Sequence, residues 1–337
     1  MRQQVKNQKD KVKSAVWGFF KGPLFLTFYF LLFTFSLAYA SSNAGSTNGN
    51  FLELPTDARG VSMGQAMISM ARGSESLRWN PAGMAATDNP ELSATYVQYF
   101  QGVQIENAAY SQPLENGAIG GSLFYLTAGS LDGRDDLGNA TGNFQFYDLV
   151  GTLGYAQKIM TRAEGMDIQA GAAIKVVQEV IADQSFQNPA LDAGILISPV
   201  PEWNIGAAMR NLATSKADFP LDFGVGTSYT MLRQLTGAVD INYYGDAPVS
   251  LNIGAEYKFE EFNSAVRAGY MTHNSIDDSQ DSQITFLRSG GIAGLTAGAG
   301  FEWPVPFAAG LKLNFDYAIA PFGALGISHY ITVKAKW

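Results

Sequence analysis

Few residues in this sequence could do chemistry, and none has the spacing that chemistry needs. His273 lies in a polar, acidic stretch and His329 inside an alternating apolar/polar run. Neither has a second ligand at metal spacing, so each reads as a solvated or hydrogen-bonded histidine. Asp277, Asp278 and Asp281 carry the charge of a calcium loop but lack its regular alternation and closing Glu, which makes the stretch a hydrated loop. Gly224 and Gly226 resemble a phosphate-binding loop, yet no helix follows; close packing against another segment is the better reading. No serine, threonine or lysine stands out as a nucleophile. Cysteine is absent, which removes disulfides, thiolate metal sites and a lipid-anchored N-terminus. The expectation is a protein without enzyme activity, cofactor or metal.

What the chain does offer is period-two alternation. From Ile331 to Trp337 one face reads Ile331, Val333, Ala335, Trp337 and the other Tyr330, Thr332, Lys334, Lys336. Such a strand ending on an aromatic suits the barrel-closing strand of an outer-membrane protein, with Trp337 at the membrane boundary. Leu251, Ile253, Ala255, Tyr257 and Phe259 alternate with Asn252, Gly254, Glu256 and Lys258 in the same way. So do Leu311, Leu313, Phe315, Tyr317 and Ile319 with Lys312, Asn314, Asp316 and Ala318.

Fourteen such segments are expected, near 91–99, 104–112, 117–127, 144–157, 166–180, 190–198, 203–210, 221–230, 234–243, 249–259, 264–271, 295–302, 310–318 and 326–337. Most match the roughly 9–11 residues of a tilted membrane strand. Connections after even-numbered strands are short (113–116, 199–202, 231–233, 260–263). Several after odd-numbered strands are long (128–143, 181–189, 211–220, 272–294). A soluble sandwich has no reason to sort loop lengths by parity, whereas a transmembrane barrel does. The fold expected is an all-β transmembrane antiparallel barrel of about 14 strands over residues 91–337.

The N-terminus reads as an export signal. Residues 1–23 hold six basic side chains and Asp10; Leu24–Leu37 is a 14-residue apolar run; Ala38-Tyr39-Ala40 is a small-x-small site. Together they predict a cleaved secretory signal peptide over 1–40. Removing its +5 from the chain's −8 leaves −13, an acidic balance that argues against nucleic-acid partners. Residues 41–50 form a Ser/Asn/Gly-rich flexible lead-in. Residues 51–90 lack strand periodicity, and Asn80-Pro81 starts a turn with Pro81 placed to open a helical one.

In this segment the sequence resembles the PorV/PorQ family, which is related to the FadL-type transporters of hydrophobic compounds. The resemblance is carried by Phe51-Leu52-x-Leu54, Ala58-Arg59-Gly60, Met63-Gly64 and above all Trp79-Asn80-Pro81-Ala82-Gly83. Weaker echoes are Gly120-Gly121-Ser122-x-x-Tyr125-Leu126, Tyr147-Asp148, Leu191-Asp192-x-Gly194 and Pro321-Phe322-Gly323-x-Leu325-Gly326. It implies an N-terminal hatch, residues 51–90, sitting in the lumen of a 14-stranded barrel. Arg72-Gly73-Ser74-Glu75-Ser76 departs from the acidic pair that often precedes the Trp-Asn-Pro-Ala-Gly element, so contacts of that stretch are not carried over.

If the alternation holds, Asp148, Lys175, Asp192, Arg210, Asp240, Glu256, Arg267, Lys312 and Asp316 point into the lumen, because a charge facing lipid costs roughly 2–4 kcal/mol at mid-bilayer. They read as mutual neutralisation in a plugged barrel, or as a polar path or clamp on the hatch with Arg59 and Asn80 as hatch-side partners. Two functions follow from the resemblance. One is an accessory role in protein export of the type IX secretion kind, docking a translocon or cargo through the long loops. The other is FadL-like passive transport of hydrophobic small molecules. Both imply outer-membrane lipid as surroundings, in a Gram-negative-type cell. Apolar loop tips would favour docking; a gap in an apolar-lined lumen would favour transport.

Overall fold

The computed structural model describes residues 49–99, 102–135, 137–182, 184–213, 219–245, 249–272, 294–308, 310–321 and 326–337. The expected signal peptide, residues 41–48 of the lead-in, His273, Asp277, Asp278, Asp281, Phe322, Gly323 and Leu325 lie outside the described residues. Fourteen antiparallel strands close into one barrel, each hydrogen-bonded to its neighbours in sequence and β1 to β14. They are β1 (Glu91–Gln98), β2 (Gln104–Leu114), β3 (Gly117–Arg134), β4 (Ala140–Met160), β5 (Asp167–Ile181) and β6 (Gln184–Val200). Next come β7 (Trp203–Ala213), β8 (Asp222–Met231), β9 (Leu235–Tyr244) and β10 (Ser250–Phe259). The circuit ends with β11 (Ser264–Met271), β12 (Leu295–Pro304), β13 (Lys312–Pro321) and β14 (Ile327–Lys336).

The alternation places side chains opposite to a soluble protein's arrangement. Leu92, Leu123, Leu153, Ile174, Val225, Ile253, Phe315 and Ile331 are exposed on the outside, while Ser93, Thr95, Asn242, Asn252 and Thr332 are buried inside. A polar interior wrapped in an apolar belt is stable only with lipid around it. Aromatics collect at the short-turn edge: Trp337 stacks on Tyr110 with centroids 6.2 Å apart, and Tyr257 meets Phe259 edge-on at 4.8 Å. Amphipathic rings belong at such a boundary. The chain is therefore a transmembrane β-barrel.

Two expected loops are corrected. Most of 128–143 and 181–189 is strand: β3 and β4 run to 18 and 21 residues, β5 and β6 to 15 and 17. Beyond the membrane both faces of these extensions are wet, so no apolar alternation marks them in sequence. The turns at the other end are tight: two residues join β2 to β3 and β6 to β7.

Residues 50–86 fold as short helices. Helical turns cover Asn50–Glu53, Gly73–Glu75 and Pro81–Ala86; between them lie α1 (Ala58–Ser62) and α2 (Ser76–Trp79). Asp57 caps α1 by accepting from the Gly60 amide at 2.5 Å. This segment meets the wall on all sides. α1 packs on β11–β14 and the Pro81–Ala86 turn on β2–β6. Between them, Ile68 lies against β7 and β8. It occupies the lumen, and Val61, Met63, Met67, Trp79 and Met84 are buried there.

Candidate functional site

The lumen has two storeys. Towards the long-loop end the inward residues of β1–β5 are largely apolar: Val97, Ile105, Phe124, Leu126, Val150 and Val177 cluster with Met271 of β11 and with Phe51, Leu52 and Phe219, while Asp148 and, on β6–β8, Asp192, Arg210 and Asp222 are buried at the same end. Towards the short-turn end they are charged and hydroxylic. The luminal segment lies between these storeys, seated by glycines and held by ion pairs.

The glycine seat follows from close approach. A Cβ added at Gly171 would meet Ala82 N at 2.6 Å and Pro81 O at 2.7 Å; at Gly206 it would meet Ile68 O at 2.5 Å. At Gly269 and Gly254 it would strike the backbone of Gly64 and Met63. Gly224 likewise faces Ile68, and Gly226 faces Asp240. Gly64 has a second requirement: its φ of 60° disfavours any side chain, and a Cβ there would lie 2.5 Å from Tyr270 N.

The Trp-Asn-Pro-Ala-Gly element acts as a staple. Trp79 is buried and donates from its ring nitrogen to Asp57 at 2.7 Å. Gly60 must lack a side chain because Trp79 and Asp57 fill that space. The Asn80 amide donates to Ile68 O (2.9 Å) and to Ile195 O of β6 (3.0 Å), while its Oδ1 accepts from Ala82 N at 3.1 Å. Pro81 opens the turn, Ala82 sits on Gly171, and Gly83 lies against Ala71 and Ser76.

Ion pairs join this segment to the wall in a relay. Asp316 contacts Arg267 at 2.7 Å, Arg267 contacts Glu256 at 2.7 Å, Glu256 contacts Arg59 at 3.0 Å, and Arg59 contacts Glu75 at 2.7 Å. Glu75 pairs in turn with Lys334. Beside it Glu91 pairs with Lys336 at 3.0 Å and accepts from the Ser74 amide at 3.0 Å. With Lys258 at 3.6 Å from Glu256, the four carboxylates meet five cations, so each buried carboxylate has a counter-charge, which is what burial of charge demands. For Glu75 burial favours the neutral acid, but Lys334 and Arg59 outweigh it and hold the carboxyl down at about 2. Arg72 bonds to neutral groups, Ser69 O, Ala71 O and Asn204 Oδ1; burial, with repulsion from Arg59, lowers it to about 10.

A second buried set lies higher. Lys175 contacts Asp192 at 2.7 Å, and Arg210 contacts Asp222 at 2.6 Å while donating to Trp79 O at 2.9 Å. Asp240 accepts from the Ile68 amide at 2.8 Å. Asp148 is buried and stands opposite Glu179 in register.

Of the charges expected inside, Lys312 departs. It has inward parity but starts β13 at the rim, where it is 52% exposed and pairs with Glu302 at 2.9 Å. Sequence reasoning missed Glu75, Lys334 and Glu91 as ionic partners. Lys334 had a readable signal, sharing its strand face with Thr332 and Tyr330; Glu75 had none. His329 faces outwards and its Nδ1 lies 2.8 Å from the Tyr317 hydroxyl.

Two voids flank the relay. A small one of ≈ 40 Å³ lies between the luminal segment and β1–β5, lined by Phe51, Phe124 and Val150 at one end and Ser93, Glu75 and Lys334 at the other. An open cavity of ≈ 420 Å³ faces the short-turn end, lined among others by Arg72, Lys258, Arg267, Glu75 and Lys334. The largest exposed apolar turn residues on that end are Leu232, Phe262 and Phe307, while Leu137 is the exposed apolar tip of the long β3–β4 hairpin.

No family model matches the sequence, and no curated protein matches it. Solved structures share the fold. A FadL homologue from Pseudomonas aeruginosa superposes with a TM-score of 0.53 at 12% identity, over 84% of this chain and 98% of that one. The Ralstonia pickettii toluene transporter TbuX gives 0.55 at 13% identity, over 84% and 98%. The CymD monoaromatic hydrocarbon channel gives 0.52 at 12% identity, over 83% and 96%. The chain has the FadL-like barrel fold; at these identities the likeness is one of fold.

Proposed function

We propose that this protein sits in the outer membrane of a Gram-negative-type bacterium, after removal of residues 1–40, and lets hydrophobic small molecules cross passively. The observation that carries this reading is the apolar upper storey: Val97, Ile105, Phe124, Leu126, Val150 and Val177 face inwards where water would otherwise stand. An inward apolar face on β1–β5 stabilises nothing in the surrounding lipid; it is a surface for an apolar guest or for the plug. Phe51 and Leu52 of the luminal segment rest on it, with Phe51 stacked on Phe124 at 6.1 Å, so a guest competes with them. The FadL-like fold supports this over the protein-export reading, for which the described long-loop side offers Leu137 as an exposed apolar tip, with Leu131, Ile181 and Phe186 scattered along otherwise polar strand extensions. The luminal residues then act by holding the plug, with no chemistry of their own.

The test is influx of a monoaromatic hydrocarbon and of a long-chain fatty acid into vesicles carrying the purified barrel. Faster influx than in empty vesicles, reduced by Phe124→Asp, is expected. Influx at the empty-vesicle rate, with a secreted protein co-purifying from the native membrane, would return the protein to export.

A further inference from the structure

We propose that Glu75 and Lys334 form the gate of a solute path running down the inner face of β14 from the apolar storey to the short-turn end. This rests on the transport reading above. The ≈ 40 Å³ void touches the apolar storey at Phe51 and Phe124, the ≈ 420 Å³ cavity opens at the short-turn end, and the two residues lining both are Glu75 and Lys334. Both side chains are nearly inaccessible, at 2% and 6%, and their ion pair closes the space between the voids.

The construction suits opening without extraction of the plug. One partner belongs to the luminal segment and the other to the wall, so parting them needs no movement of the backbone that Gly171, Gly206 and Gly269 clasp. Glu75 stays held by Arg59 at 2.7 Å when Lys334 leaves. Lys334 has a long, flexible stem and further carboxylates within electrostatic reach, Glu91 and Asp316. It can exchange one carboxylate for another, so the open state does not strand a buried charge. Closed, the pair blocks ions; swung aside, it joins the two voids.

The experiment is conductance in planar bilayers with potassium chloride, on barrels shown to be folded by a gel-mobility shift on boiling. The double variant Glu75→Gln/Lys334→Gln is expected to raise the open fraction roughly tenfold or more, since a charge-assisted closure is replaced by neutral groups. Lys312→Gln, which removes a rim pair, is expected to behave as wild type. A second readout uses the absence of cysteine in the chain. Ser93 lines the small void and is buried, so Ser93→Cys reports access to it. In that background Lys334→Met is expected to speed labelling by a water-soluble thiol reagent roughly tenfold. Wild-type conductance and wild-type labelling in the folded variants would overturn the gate. Hydrocarbon influx plays no part in either readout, so failure of the transport reading is seen separately.

Discussion

Replacing Gly171 by alanine isolates the seat of the luminal segment in a single methyl group. The new Cβ would lie 2.6 Å from both Ala82 N and Pro81 C and 2.7 Å from Pro81 O. Carbon atoms settle against heavy atoms near 3.5–4.0 Å, so the overlap is roughly 1 Å. All three opposing atoms are backbone, and the turn that carries them is fixed by Asn80, through Ala82 N on one side and Ile195 O on the other. No rotamer relieves the clash. Overpacking of this kind costs about 1–3 kcal/mol. Against it, alanine recovers about 0.5–1 kcal/mol of the entropy that glycine loses inside a strand. Taking the middle of each range, the net cost of seating the segment is about 1 kcal/mol, which raises its unseated population by a factor of roughly 5–10. Hydrogen exchange followed by mass spectrometry reads this peptide by peptide: residues 73–87 are expected to exchange faster by that factor while β8–β10 stay unchanged. Gly237→Ala and Gly151→Ala are the matched controls, because a Cβ at either position meets nothing within 4 Å. If Gly171→Ala exchanges like Gly237→Ala, the close-approach argument for the whole glycine seat is wrong.

Other expectations follow from the same contacts. Arg59→Met removes the link between Glu75 and Glu256, and although Glu75 keeps Lys334 and Glu256 keeps Arg267 and Lys258, a cost of about 3 kcal/mol is expected, seen as proteolysis of residues 50–86 in the folded barrel. Glu75 titrates at about 2 against an ordinary value of 4.5, so its contribution, about 3 kcal/mol, is complete above pH 4.5 and is lost as pH falls towards 2. Exchange in residues 73–87 should therefore rise over that window, and Glu75→Gln should flatten the rise; an equally steep rise in the variant would refute the assignment. Leu153→Arg puts a charge on the lipid face at a position 69% exposed, and a loss of about 2–4 kcal/mol in unfolding from vesicles is expected. The β8–β9 turn holds Leu232 and Arg233 at φ 53° and 66°, and replacing them by Asn-Gly is expected to stabilise the barrel by about 1 kcal/mol, read as a higher denaturation temperature in detergent.

The barrel was legible in the sequence wherever lipid and lumen impose opposite demands on neighbouring residues. Leu251 to Phe259 alternates because its odd residues face outwards while Asn252, Gly254 and Glu256 face the lumen. That contrast fades where β3–β6 leave the membrane: Ser130–Arg134 and Gln184–Asn188 have water on both sides, and polar residues in strands look like loops. The luminal segment was legible in its own residues as an irregular stretch with a helical turn at Pro81, but its place in the lumen came by resemblance alone, since helices of four or five residues are too short to show which face they bury. What no sequence pattern carries is depth and partnership. Parity put Lys312 and Asp316 on one face, yet one sits at the open rim and the other under the plug, four residues further along β13. Glu75 finds Lys334 across 259 residues. Their pairing exists because barrel closure brings β14 beside β1 and because Asp57, Gly60 and Trp79 turn α1 and α2 so that Glu75 faces that seam. The local chemistry of the candidate gate is thus two ordinary charged side chains, and its function depends on the closed topology that makes them neighbours.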